Sequence, residues 1–188
     1  VILAAGVGAY SWYTTRREER AQVLFAQCLA SFASEGKTAE DWKRIAQAFH
    51  AGYEKASSSV LAPYFLAYAA DAEYAAGDEA AAQKSMDTAV SLLSQSSPIY
   101  YLIVSKRALL KADSSDATVR EAALRELQEL AQSARNPYKD IALYYRGLGA
   151  YQSGDFEGAK ASWFRLIREY GNDSLWSEPA RTRLTLLP

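Results

Sequence analysis

The stretch that decides the fold is Ile141–Ile167, IALYYRGLGAYQSGDFEGAKASWFRLI. Gly154-Asp155 stands at its centre. Gly suits the residue just past a helix, and Asp suits the cap of the next one, where its carboxylate accepts from free N–H groups. Beyond the turn, Phe156, Ala159, Trp163, Leu166 and Tyr170 recur at helical spacing, so one apolar stripe faces a neighbour. The stretch reads as two helices joined by a tight turn.

The same grammar recurs outward from it. Gly77-Asp78 lies 77 residues upstream, the polar turn Asp113-Ser114-Ser115-Asp116 lies about halfway between, and Gly36 lies about one period before Gly77. Prolines at 63, 98, 137 and 179 are 35, 39 and 42 residues apart, three of them as Ser97-Pro98, Asn136-Pro137 and Glu178-Pro179. Pro is well placed at the first helical position, where its missing N–H has no partner to lose, so each is expected to open a helix. The helix after each turn carries a stripe: Ala82, Met86, Ala89 and Leu93, then Val119, Ala123, Leu127, Leu130 and Ala134. Ala82 and Ala159 each stand five residues past their turn glycine. There a small side chain lets paired helices approach. The expectation is an all-α chain, a solenoid of about 3.5 to 4 helical hairpins, with Trp176–Leu187 as a capping helix through Ala180, Leu184 and Leu187.

Composition agrees. Of 188 residues 35 are Ala, against 10 Gly and 5 Pro, which favours helix and disfavours a turn-rich β fold. Lys and Arg number 21 and Asp and Glu 22, a net charge of −1, so no basic excess points to nucleic acid. One Cys, Cys28, and one His, His50, leave no disulfide, no Cys/His zinc set and no cofactor motif. Cys28 reads as a small core residue, and His50 as a helix-face or partly buried one with a weak i+4 pairing to Glu54. Glu35-Gly36-Lys37-Thr38 imitates the end of a phosphate loop, but Ser31 stands where the first Gly is required and no strand precedes it. Carboxylates such as Glu18, Glu19, Asp78 and Glu79 fall near helix starts or on solvent faces, where they cap or solvate. No enzyme and no small-molecule substrate is expected.

The first thirteen residues, VILAAGVGAYSWY, carry no charge and are followed by Thr14, Thr15 and Arg16-Arg17-Glu18-Glu19-Arg20. A bilayer span needs about 20 apolar residues. The expectation is that residues 1–16 are the C-terminal part of a truncated transmembrane anchor, with Tyr10, Trp12 and Tyr13 as its interfacial aromatics. The tail of a signal peptide, without a cleavage site, and a soluble core helix are the competing readings. No breaker separates this start from the helix expected over about Arg17–Ser34. The anchor is therefore expected to run without a linker into a repeat domain over 17–188.

The unit resembles a tetratricopeptide repeat (TPR). The resemblance rests on Gly147, Gly154-Asp155 and Ala159 in the last full unit, and on Ala70, Gly77-Asp78, Ala82 and Ala89 in an earlier one. The middle unit lacks the turn Gly. The resemblance implies a TPR-like solenoid, and speaks to fold more than to function. An apolar segment ending in small and aromatic residues, followed by about 170 residues of such repeats, is further similar to the YfgM-like ancillary subunit of the bacterial Sec translocon, as is the ending Gly158-Ala159-Lys160, Ser162-Trp163. That similarity implies a single-pass inner-membrane protein with periplasm-facing repeats, associated with the translocon and with periplasmic chaperones. A soluble or lipid-anchored TPR scaffold or assembly factor for another envelope complex is the alternative.

Stacked hairpins leave a concave face lined by the first helix of each pair. In this register Tyr64, Asp71, Tyr74, Lys106, Tyr144 and Tyr151 would line it as partner-binding residues, since Tyr joins broad contact area to a polar tip. Simple packing of these rings between helices is the competing reading.

Overall fold

A computed structural model describes residues 2–34 and 37–188, with side chains from Trp12 onward. Gly36, Glu35 and the Tyr10 ring lie outside the described residues. Among the described residues the chain is all-α, with nine helices and no strand. It divides into two compact units, Val1–Ser94 and Gln95–Pro188, each taken by itself below.

The first unit holds α1 (Ile2–Ala33), α2 (Ala39–Lys55), α3 (Ala62–Ala75) and α4 (Glu79–Ser91). α1 passes through residues 16 and 17 without a break, so the continuity expected there is seen and the helix itself marks no boundary. Consecutive helices pack on one another. Thr38 opens α2 with a reciprocal cap: its hydroxyl accepts from the Asp41 N–H and the Asp41 carboxylate accepts from the Thr38 N–H. The apparent phosphate-loop threonine is thus a helix cap, and the neighbouring Lys37 ammonium lies 4.6 Å from the centroid of the Trp42 ring. Pro63 sits in the first turn of α3.

The core of this unit is aromatic on one side and small on the other. Phe49 and Phe65 are fully buried, and Ala69, Ala70 and Ala72 let neighbouring helices close on α3. Phe25 of α1 meets Phe65 edge-on at 5.0 Å, and Tyr68 stacks on Phe49 at 5.4 Å. α1 therefore reaches α3 as well as α2, and its segment from Ala21 to Phe32 is built into this core.

The second unit holds α5 (Tyr100–Ala112), α6 (Ala117–Gln132), α7 (Lys139–Gln152), α8 (Phe156–Tyr170) and α9 (Ser177–Leu184). Again consecutive helices pack together. Leu127, Leu143, Ala159, Trp163, Leu166 and Ala180 are fully buried, so the middles of the stripes read at helical spacing are packed, whereas Phe156 and Ala134, at their ends, are exposed. Pro179 lies inside the first turn of α9, while Pro98 and Pro137 stand two residues ahead of α5 and α7, in the preceding turns.

The two Gly-Asp turns repeat one geometry. Gly77 and Gly154 have φ of +86° and +83°. The next N–H, on Asp78 or Asp155, donates at 2.9 Å to the carbonyl five residues back, Glu73 or Ala150. The Asp78 and Asp155 carboxylates then cap α4 and α8 by accepting from Ala81 and Gly158. Asp116 caps α6 in the same way without a glycine before it.

Candidate functional site

Three of the expected groove residues belong to α3. Tyr64, Asp71 and Tyr74 are seven and three residues apart, which places them on one side of the helix. Tyr64 is half-buried and meets Phe25 edge-on at 6.2 Å. Asp71 is half-buried and Tyr74 is exposed. The first unit thus brings these three together, with Tyr64 partly committed to packing against α1.

The other three lie in the second unit. Lys106, on α5, is half-buried. Tyr144 is only 8% exposed, which corrects its placement on a groove. Its ring lies 4.9 Å from Trp176, and its carbonyl accepts from the Trp163 indole at 3.0 Å. The segment leading into α9 covers this part of α7, and helical spacing alone does not distinguish a face covered by a neighbour from a face left open. Tyr151, about two turns on, is half-buried against Phe156 at 5.7 Å and Trp163 at 6.2 Å.

Sequence spacing did not reveal one polar cluster of the first unit. His50 of α2 pairs with Glu73 of α3, Nε2 to Oε1 at 2.7 Å, rather than with Glu54. The two residues are 23 apart, so no local periodicity joins them. Ser85 of α4 places its Oγ 3.4 Å from the same Nε2. These side chains, with Tyr53, Glu54, Leu66 and Lys84, line an open cavity of about 410 Å³ in the first unit. Glu73 raises the His50 pKa by its hydrogen bond, against a smaller opposing effect of burial. A hydrolytic relay holds its carboxylate and its hydroxyl on opposite ring nitrogens; here both meet Nε2, so the cluster is a bridge between helices. Cys28 is half-buried, its thiol 3.6 Å from the Ala48 carbonyl and its pKa raised by burial. Among the described residues no group of three or more His, Cys, Asp or Glu side chains could hold a metal ion.

A second surface lies at the start of α1. Trp12 and Tyr13 are exposed, 64% and 61%, and the Arg16 guanidinium lies 5.8 Å from the centroid of the Trp12 ring. One turn further the helix is tied to the α2–α3 loop. The Arg17 guanidinium donates to Ser58 at 3.0 Å, and the Ser59 hydroxyl donates to Glu18 at 2.6 Å. Among the described residues no helix is long and apolar enough to cross a membrane.

The class that fold and surfaces define is an all-α protein, among the described residues, whose helices pack consecutively within each of two units. No family model, no curated protein and no solved structure matches the chain.

Proposed function

We propose that this chain is a non-catalytic protein-binding module, a TPR-like solenoid held at a bilayer by the apolar start of α1. The observation that carries the reading is that α1 is one helix from that apolar start into the aromatic core of the first unit. Residues 2–13 reach about 18 Å along the helix axis at 1.5 Å per residue, a large part of a hydrocarbon core of about 30 Å. Exposed Trp12 and Tyr13 followed by arginines suit the interface that such a helix crosses. A tether of this kind keeps the binding face near a membrane complex and raises the effective concentration of a partner there. The resemblance to the YfgM-like subunit supplies the specific form of the proposal: an inner-membrane, periplasm-facing accessory that links the Sec translocon to periplasmic chaperones.

The test is photo-crosslinking of the full chain in bacterial inner membranes, from a probe at the exposed position 74. Adducts to a translocon subunit or a periplasmic chaperone support the reading. Adducts only to components of another envelope complex replace it with the scaffold alternative. A chain that washes off the membrane in carbonate removes the tether.

A further inference from the structure

The hydrogen bonds at Arg17 and Glu18 fix more than the packing of α1. Ser59 is buried, and besides donating to Glu18 its Oγ accepts from the Leu61 N–H at 3.1 Å. Ser58 is held by Arg17. The loop between α2 and α3 is therefore held in place against the helix that carries Trp12 and Tyr13. At its tip Val60 is 74% exposed.

A single exposed Val is ordinary on a protein surface; its position here is what carries meaning. Tyr13 and Arg17 are four residues apart, about 6 Å along the helix axis. The polar layer of a bilayer is about 5–7 Å deep on each side of the hydrocarbon. With the Trp12 and Tyr13 rings at the hydrocarbon boundary and α1 upright, the loop falls within the headgroup layer. The exposed Ser57 and Ser58 suit that depth, and so does a small apolar tip. α3 starts and α4 ends at this same end of the unit, the Gly77-Asp78 turn lying at the other. Leu92, just past α4, is exposed there as well.

We infer that the α2–α3 loop is a second membrane contact, laying Val60 into the headgroup layer of the bilayer that holds α1. This rests on the bilayer reading of the proposed function. Two points of contact, the helix and the loop, would fix the tilt of the first unit on the membrane instead of leaving it to swing about a single helix.

The test uses the full chain with Cys28→Ser, carrying a single environment-sensitive fluorophore on a cysteine introduced by Trp12→Cys, Val60→Cys or Ala80→Cys. Ala80 is exposed at the opposite end of the unit. Each labelled protein is titrated with vesicles of phosphatidylethanolamine and phosphatidylglycerol. The expected result is a blue shift at 12 and at 60 that depends on vesicles, with none at 80. A shift at 12 without one at 60 overturns the loop contact and leaves the tether standing. No shift at either position overturns both. A shift at 60 that rises with protein concentration in the absence of vesicles assigns Val60 to a second copy of the chain and overturns the inference.

Discussion

The indole N–H of Trp163 donates to the main-chain carbonyl of Tyr144 across 3.0 Å, which ties α8 to α7 at a buried point. Gly147, one turn along α7, makes this closeness possible: a Cβ there would stand 2.7 Å from the indole Cδ1 and Cε2 atoms. Gly147→Ala is therefore expected to lower stability by about 1–3 kcal/mol, the usual cost of overfilling a packed core. Thermal melting followed by circular dichroism checks it. A melting temperature equal to that of the parent would mean that the helices can part without cost. Ala159→Trp, on the α8 side of the same pair, is expected to cost at least as much.

Gly77 separates backbone strain from crowding. Its φ is +86° and a Cβ would meet nothing within 4 Å. Gly77→Ala should therefore cost only the left-handed conformation, about 1–2 kcal/mol, and Gly77→Asn should recover part of it because Asn tolerates that region better. Urea melts of the three proteins decide the matter: equal midpoints for Gly and Ala would show that the turn is not held in this geometry.

These two sites also show what the sequence makes legible. The Gly-Asp turns, the caps at Asp78 and Asp155 and the stripe through Ala159, Trp163 and Leu166 are local. Spacing reports them because neighbours in sequence are neighbours on a helix. Burial of Tyr144 depends on Trp176, and the His50–Glu73 bridge joins residues of different helices; both are set by packing that no local period encodes. Thr38 shows the converse. Read as the tail of a phosphate-loop imitation, it is in fact the hydroxyl half of a cap whose other half, Asp41, stands three residues on. The S/T-x-x-D/E pattern was present to be read there.

Stability of the first unit should depend on the protonation of His50. Its folded pKa is raised by the Glu73 hydrogen bond, so folding favours the charged imidazole. The stabilisation is fully present below the unfolded value of about 6.5 and is lost as pH rises through the higher folded value. The melting temperature is expected to drop across that window, and Glu73→Gln should flatten the dependence. A parent and a Glu73→Gln protein with parallel profiles would show that the bridge does not couple to folding. Titration of the His50 ring by NMR gives the direction of the shift directly.

The capping box gives an independent acid-side signal. Asp41 has its pKa lowered to about 2, chiefly by accepting from the Thr38 N–H. A depressed carboxylate contributes stability above its unfolded pKa and loses it as pH falls through the folded one, so the cap of α2 should weaken between about pH 4 and pH 2. Thr38→Ala removes the hydroxyl half of the cap and is expected to cost about 0.5–2 kcal/mol at neutral pH. If its melting midpoint equals the parent's, the cap contributes nothing to the first unit.

Tyr74 and Tyr144 separate recognition from packing. Tyr144 is buried against Trp176, and Tyr144→Ala should destabilise by about 3–5 kcal/mol, as truncation of a buried aromatic does. Tyr74 is 38% exposed, on the same side of α3 as Asp71. Tyr74→Ala should leave the helical circular dichroism in place and reduce recovery of partner in pull-downs from solubilised membranes. Any loss of binding by the Tyr144 variant should follow its loss of fold, and disappear when the assay is run well below its melting temperature. If Tyr74→Ala captures partner as the parent does, α3 does not present the binding face. Loss of capture by a well-folded Tyr144→Ala would place recognition in the second unit.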